Sequence, residues 1–225
     1  MQGISRLALL AAGAALIAAP AMAQDDKDAV PLGTITLTAS TEAVDVSRTG
    51  ATVDVVTEEE LDKAPLSFAG FLSTLPGVSM SANGGLGATT GLRLRGPPAY
   101  YTGTRLDGID GNDPPRPQLY YEFGGLTTAG LSRIEVLRGS QSALYGSEAV
   151  AGVVDITSWR PEEDGLSGKV GLEAGSDASY SGTVSTGYRD DRTELAFTMG
   201  RTITDGVSSH RLGTEDDGFK GSSLS

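Results

Sequence analysis

The sequence has no cysteine, one histidine (His210) and one tryptophan among its 225 residues. Without cysteine there is no disulfide framework and no thiolate metal centre. A lone imidazole argues against histidine metal cages and against most acid–base machinery working near neutral pH. Positive charge is also scarce. Seventeen Lys and Arg against 29 Asp and Glu leave a formal net charge of −12, which argues against binding nucleic acid by phosphate neutralisation. Glycine is plentiful, at 31 residues, but it follows no fixed period, which excludes a fibrous repeat. What is present, 39% hydrophobic and 20% charged residues, suits a folded chain of one domain or two.

Arg6 is the only charge in the first 24 residues. It precedes an apolar or small run from Leu7 to Ala19, closed by Pro20 and the triplet Ala21-Met22-Ala23. This is the pattern of a secretory signal peptide, cleaved after Ala23 so that the mature chain begins at Gln24. A spanning helix is the competing reading, but the run of 13 residues reaches only ~20 Å at ~1.5 Å per residue, against a bilayer core of ~30 Å.

Residues 24–50 read as a flexible segment, polar and acidic from Gln24 to Leu32 in the manner of a tether. Within it, Gly33-Thr34-Ile35-Thr36-Leu37-Thr38-Ala39 alternates β-branched and apolar residues, suiting either a strand that adds to another sheet's edge or an ordinary first strand. From 51 to 160 the patterns are short. Val53 to Thr57 reads as a strand, and Thr57 with Glu60 forms a capping box for a helix to about Asp62. Phe68, Phe71, Leu72 and Leu75 share a helical face, with Ser67 as cap and Pro76-Gly77 as stop. The period then changes to two. Val78–Ser81, Gly91–Arg95, Thr102–Ile109, Ile134–Arg138 and Gly152–Thr157 are predicted strands, giving an α+β domain of two or more short helices on a small mixed sheet.

After Pro161 the texture becomes that of longer amphipathic strands. Val170, Leu172 and Ala174 share one face, Tyr180, Val184 and Tyr188 another, and Leu195, Phe197, Met199 and Ile203 a third. Strands of about ten residues with a dyad period suit a transmembrane β-barrel, and a soluble sandwich edge gives the same pattern. Arg189-Asp190-Asp191-Arg192 reads as a charged turn joining the second strand to the third.

Two tempting motifs lack their context. The glycine-rich run Asn83 to Thr90 leads into strand alternation at Leu92 and Leu94, where a dinucleotide loop would open a helix. Ser140 and Ser142 have neither a nucleophile elbow nor a histidine partner, so no catalytic residue is assigned. The pairs Arg95-Gly96 and Arg138-Gly139 end strands alike. Their guanidiniums are either solvated or held to pair with carboxylates on a surrounding wall.

The run from Arg133 to Ile156, RIEVLRGSQSALYGSEAVAGVVDI, resembles the closing motif of the plug domain in TonB-dependent outer-membrane receptors. Leu75-Pro76-Gly77-Val78, Leu94-Arg95-Gly96 and Leu106-Asp107-Gly108-Ile109 are similar to other plug landmarks in the same order, and Gly33 to Ala39 is similar to a TonB box. The resemblance runs from about Thr34 to the C-terminus and is nearest the cobalamin (vitamin B12) transporter branch. It implies a plug inside a barrel of about 22 strands, with the TonB box pairing by strand addition to TonB of the TonB-ExbB-ExbD complex. A scarce ligand, cobalamin-like or an iron chelate, would then be drawn across the outer membrane. Residues 161–225 supply about three or four barrel strands at about ten residues each, so the chain is expected to be a fragment or a truncated frame of such a receptor. A soluble plug-like binding module is the rival.

On this resemblance, Arg95 and Arg138 become plug–barrel contacts, and outward plug loops carry the ligand contacts: Thr89, Thr90, Pro98, Tyr100, Tyr101, Asn112, Arg116, Tyr120 and Tyr121. Aromatic rings and a guanidinium suit a bulky ligand with apolar and anionic parts, and are also ordinary loop composition. The stretch Asp113 to Pro117, DPPRP, departs from the cobalamin branch and leaves the ligand open. Glu215, Asp216 and Asp217 suit calcium or a solvated acidic turn. No other cofactor is expected.

Overall fold

A computed structural model describes residues 35–36, 44–45, 51–112, 120–206 and 218–225. All lie in one compact unit, Gly33–Ser225. Strand β1 (Ile35–Thr36) pairs antiparallel with β2 (Val44–Asp45) in a ladder of its own. Strand β3 (Thr52–Val56) leads into helix α1 (Glu58–Leu61), opened by the predicted capping box, in which the Glu60 carboxylate accepts the Thr57 backbone N–H at 2.9 Å. Helix α2 (Phe68–Leu72) is capped by Ser67, whose hydroxyl accepts the Gly70 N–H at 3.1 Å. It ends sooner than its apolar face, because Thr74 and Leu75 close tight turns onto Phe71 and Leu72 ahead of Pro76.

Strands β4 (Val78–Ala82) and β5 (Thr90–Leu94) form an antiparallel pair. The main plug sheet combines β6 (Thr102–Leu106), β7 (Ile109–Asp110), β8 (Leu131–Arg138) and β9 (Gly152–Ser158) with β3, in the order β3-β8-β9-β6-β7. Only the β6–β9 pairing is parallel. The predicted single strand from Thr102 to Ile109 is instead a hairpin. Asp107 and Gly108 both take positive φ, 50° and 80°, and fold the chain back in the two-residue turn that Asp-Gly favours. A third short helix, α3 (Ser142–Tyr145), precedes β9.

One face of this sheet holds the core. Ile134, Val136, Val154 and Ile156 are fully buried against Phe68, Leu72, Leu92 and Leu94, and the Phe68 and Phe123 rings stack 5.6 Å apart. Gly152 crosses under this layer at φ 151°, where a Cβ would stand 2.1 Å from the Leu137 carbonyl oxygen.

Strands β10 (Gly165–Gly175), β11 (Ser179–Arg189), β12 (Glu194–Thr204) and β13 (Phe219–Leu224) make a separate antiparallel sheet in sequential order. Each of the first three has 11 residues. At ~3.3 Å per residue and ~45° tilt such strands span ~25 Å, the height of the apolar band of a membrane barrel. Among the described residues no helix is long and apolar enough to cross a membrane.

Candidate functional site: a two-faced wall and the plug behind it

The register of this second sheet turns the three predicted apolar faces into one. Val170 lies opposite Val184, and Val184 opposite Met199; Tyr180 meets Ile203, and Tyr188 meets Leu195. Opposed residues share a face, so the apolar side chains form one continuous surface. That surface is exposed: Leu166, Val170, Leu172, Tyr180, Leu195, Phe197 and Met199 all face outward. The opposite face holds hydroxyls, with Ser181, Thr183, Ser185, Thr198, Thr202 and Thr204 all buried. Four of them bond to one another across strands, Thr198 Oγ1 to Ser185 Oγ and Ser181 Oγ to Thr202 Oγ1, each at 3.0 Å. An inside of hydroxyls and an outside of Leu, Val and Phe inverts the water-soluble pattern, and lipid is the solvent that suits it.

The hydroxyl face looks onto the plug. A Cβ at Gly130 would lie 2.7 Å from Thr198 Cγ2, and a cavity of about 340 Å³ between the two is lined by Lys63, Trp159, Lys169, Glu173, Ser181 and Thr183. Lys169, on the inward side of β10, crosses to α1, its Nζ lying 2.6 Å from both Glu58 Oε1 and Asp62 Oδ1. At the end of the sheet where β12 begins, Arg160 bridges Asp107 at 3.5 Å and Glu194 at 3.4 Å. Sequence reasoning missed both links. The alternation of β10 puts Lys169 on its wet side, but nothing local names a partner more than 100 residues away in the chain.

The predicted wall contacts fare differently. Arg138 is buried and its guanidinium pairs with Asp54 on the neighbouring strand β3, inside the plug. The neighbouring edge strand thus supplies a carboxylate to one end of the guanidinium, while its Nε is buried with no hydrogen-bond partner among the described residues, and contact with the wall stands as a proposal. Arg95 is exposed, takes φ 56°, and donates from Nη2 to Thr52 Oγ1 at 3.1 Å.

The proposed ligand residues divide in the same way. At Gly91 a Cβ would stand 3.1 Å from Ala99 Cβ and 3.9 Å from Tyr120 Cε2, so the start of β5, the turn Ala99–Tyr101 and Tyr120 lie together. Tyr101 is exposed there and Tyr100 half-buried, with ring centroids 4.5 Å apart; Pro98, just before them in the chain, and Thr89, just before β5, are exposed. Thr90 and Tyr121 turn inward instead. Thr90 is 3% exposed, donates its backbone N–H to Glu122 and its hydroxyl to the Ala88 carbonyl, and presents no free group to a ligand. Tyr121 packs edge-on against Phe123 at 4.8 Å, and burial pushes its phenol up. Asn112 is held by its side-chain amide to Glu148. Arg116, the carboxylates Glu215, Asp216 and Asp217, and Gly33, Thr34, Leu37, Thr38 and Ala39 lie outside the described residues. Of the predicted box, the backbone of Ile35 and Thr36 is seen paired with Asp45 and Val44.

The family model TonB-dependent Receptor Plug Domain matches residues 45–153. The chain belongs to the TonB-dependent receptors. It is 33% identical over 187 residues to the vitamin B12 transporter BtuB of Photobacterium profundum, covering 77% of this chain and 29% of that protein. The same transporter of Vibrio vulnificus is 29% identical over 169 residues. Among solved structures, the ferric yersiniabactin uptake receptor FyuA of Yersinia pestis superposes with a TM-score of 0.58 at 20% identity, over 79% of this chain and 28% of that one. The siderophore receptor PirA of Pseudomonas aeruginosa gives 0.57 at 24% identity, over 76% and 29%. This receptor chain thus spans under a third of the length of these relatives, all of them named as transporters or receptors. The fold they share is the one described: a plug with a small mixed sheet and short helices, followed by antiparallel strands.

Proposed function

We propose that the chain is the N-terminal part of a TonB-dependent receptor that takes up a scarce ligand, cobalamin-like or an iron siderophore, across the bacterial outer membrane. The observation that carries this reading is the inverted β10–β13 sheet, with buried hydroxyls toward the plug and exposed Leu, Val, Phe and Met away from it. A soluble plug-like module would present that apolar surface to water.

In this reading residues 1–23 direct export, 24–50 carry the TonB box at 33–39, 51–160 form the plug and 161–225 begin the barrel. Exposed Thr89, Pro98 and Tyr101, with half-buried Tyr100 and Tyr120, offer the ligand a partly aromatic edge. The receptor uses no catalytic residue; work comes from TonB pulling on the box. Calcium at Glu215, Asp216 and Asp217 remains part of the proposal through its donor chemistry, hard oxygens for a hard cation.

The test is fractionation followed by uptake. Receptor in the outer-membrane fraction that resists alkaline carbonate is the expected result, and a soluble monomer in periplasmic extract overturns it. Leu37→Pro removes one N–H and restricts Thr36. It should abolish uptake while surface binding of the ligand survives, and Leu37→Ala should be mild. Normal uptake by Leu37→Pro would make the segment a mere linker.

A further inference from the structure

The outward face of the β10–β13 sheet is mostly apolar and carries two charged side chains among the described residues. Arg201 on β12 and Lys220 on β13 both stand on it, because Arg201 lies opposite Gly182 and Ser222, and Lys220 lies opposite Ile203. Both are exposed. Among the described residues this face carries no carboxylate, in a chain whose formal net charge is −12.

Their placement is specific. Val170, Val184, Met199 and Leu224 form one row across the four strands and, being central in the 11-residue strands, mark the middle of the band. Both cations lie on the same side of that row, toward the Ser176–Ala178 turn. The plug loop at Gly85 and Leu86 lines a hollow with Ser176 and Asp177 at this end, which is the ligand-facing, outer end in the function proposed above. Arg201 sits three residues before the end of β12, ~7 Å below the rim at ~3.3 Å per residue and ~45° tilt. A guanidinium reaches that far to a headgroup by snorkelling.

Arg201 and Lys220 are diagonal neighbours, about 7–8 Å apart at the backbone. The residues directly beside Arg201, Gly182 and Ser222, are too small to cover it. Beside it the missing side chain of Gly182 leaves a shallow depression bordered by Leu172, Ala174, Tyr180 and Ile203, and below it lies the apolar row of Val170, Val184, Met199 and Leu224. Two cations above that apolar row complement an anionic head above an acyl chain. We propose that Arg201 and Lys220 form a lipid-binding site on the outer wall that reads the phosphate of a phosphorylated outer-leaflet lipid. A desolvated charge on a lipid face is expensive, and a phosphate partner offsets that cost with charge-assisted hydrogen bonds.

This rests on the outer-membrane reading, and the experiment separates the two. Receptor purified in detergent from the carbonate-resistant outer-membrane fraction is mixed with bisphosphorylated lipid A or its dephosphorylated form, and retained lipid is counted by native mass spectrometry. The wild type should hold the phosphorylated lipid at least tenfold better. Arg201→Gln with Lys220→Gln should abolish that preference, and Arg201→Lys with Lys220→Arg should keep it. Each variant is checked for the heat-modifiable migration of a folded barrel. A wild type blind to phosphate, or a folded double Gln variant with undiminished preference, overturns the proposal. Absence of the protein from the membrane fraction would instead overturn the reading beneath it.

Discussion

In the plug sheet Ile134, Val136, Val154 and Ile156 turn away from solvent, whereas in the β10–β13 sheet Val170, Val184 and Met199 turn toward it. The residue types are the same and the hydrogen-bonded ladders are alike; what differs is which face each sheet hides. The plug sheet hides its aliphatic face under α1, α2 and the β4–β5 pair. The other hides its Ser and Thr side chains, with Ser181–Thr202 and Ser185–Thr198 bonded in pairs, and leaves its aliphatics outside. One chain therefore contains a sheet built for water and a sheet built for hydrocarbon, and burial without chemistry would not tell them apart.

The sharpest way to break this comparison is to place one lysine in each sheet. Val154→Lys buries an unpaired charge at a fully buried core position; it should cost above about 4 kcal/mol and unfold the plug. Val184→Lys, at the middle of β11 and 47% exposed, should cost about 2–4 kcal/mol if the face meets lipid and close to nothing if it meets water. The yield of heat-modifiable receptor in outer membranes reads both. An undiminished yield for Val184→Lys would mean that this face is wetted.

A second contrast lies in the buried ion pair. Arg138 has 4% of its side chain exposed and Asp54 31%. Asp54→Ala should therefore be the worse change, about 3 kcal/mol, because it strands a buried guanidinium. Arg138→Met leaves a carboxylate that water can reach, and about 1–2 kcal/mol is expected for the lost charge-assisted bond. Hydrogen exchange over residues 131–138 in the whole receptor measures the two, and equal loss of protection would show that the pair is not the stabilising element. The links from plug to sheet are weaker. Lys169→Met removes a bridge whose partners are 26% and 52% exposed at their side chains, so about 1 kcal/mol is expected, diminishing with added salt.

Local chemistry made much of the fold legible. The capping box at Thr57 and Glu60, the Ser67 cap and the alternation of β10, β11 and β12 are each set by residues within one element. The hairpin at Asp107-Gly108 was legible too, since that dipeptide is a two-residue turn signal; the period-two pattern running through it concealed the reversal. Faces could be listed strand by strand, but merging them needs register, and register is set by pairing between strands. The site was less readable for the same reason. Thr90 and Tyr121 have the composition of ligand contacts, and only the approach of Glu122 and Phe123 shows them used inside. The pairing of Arg138 with Asp54 was hidden because the two are 84 residues apart in the chain.

The smallest expected effect is at the water end of the wall, where Asp190 begins the turn between β11 and β12. Its Oδ1 accepts the N–H of Arg192 at 2.8 Å and of Thr193 at 2.7 Å, and these bonds hold the carboxyl below the usual carboxylate range. A lowered folded value means that the stabilisation is present above the unfolded carboxyl range, near pH ~4, and is lost as pH falls through the folded value. Asp190→Ala should therefore lower the receptor's melting temperature in detergent slightly at pH 7, by less than either buried-pair variant. The difference between wild type and variant should vanish in acid, where the wild-type carboxyl is protonated and no longer accepts both bonds as an anion. Because the turn also closes through the Asp190 N–H to the Thr193 carbonyl at 2.8 Å, it should keep its shape in the variant. A difference that persisted unchanged into acid would assign the role of Asp190 to turn geometry instead of charge.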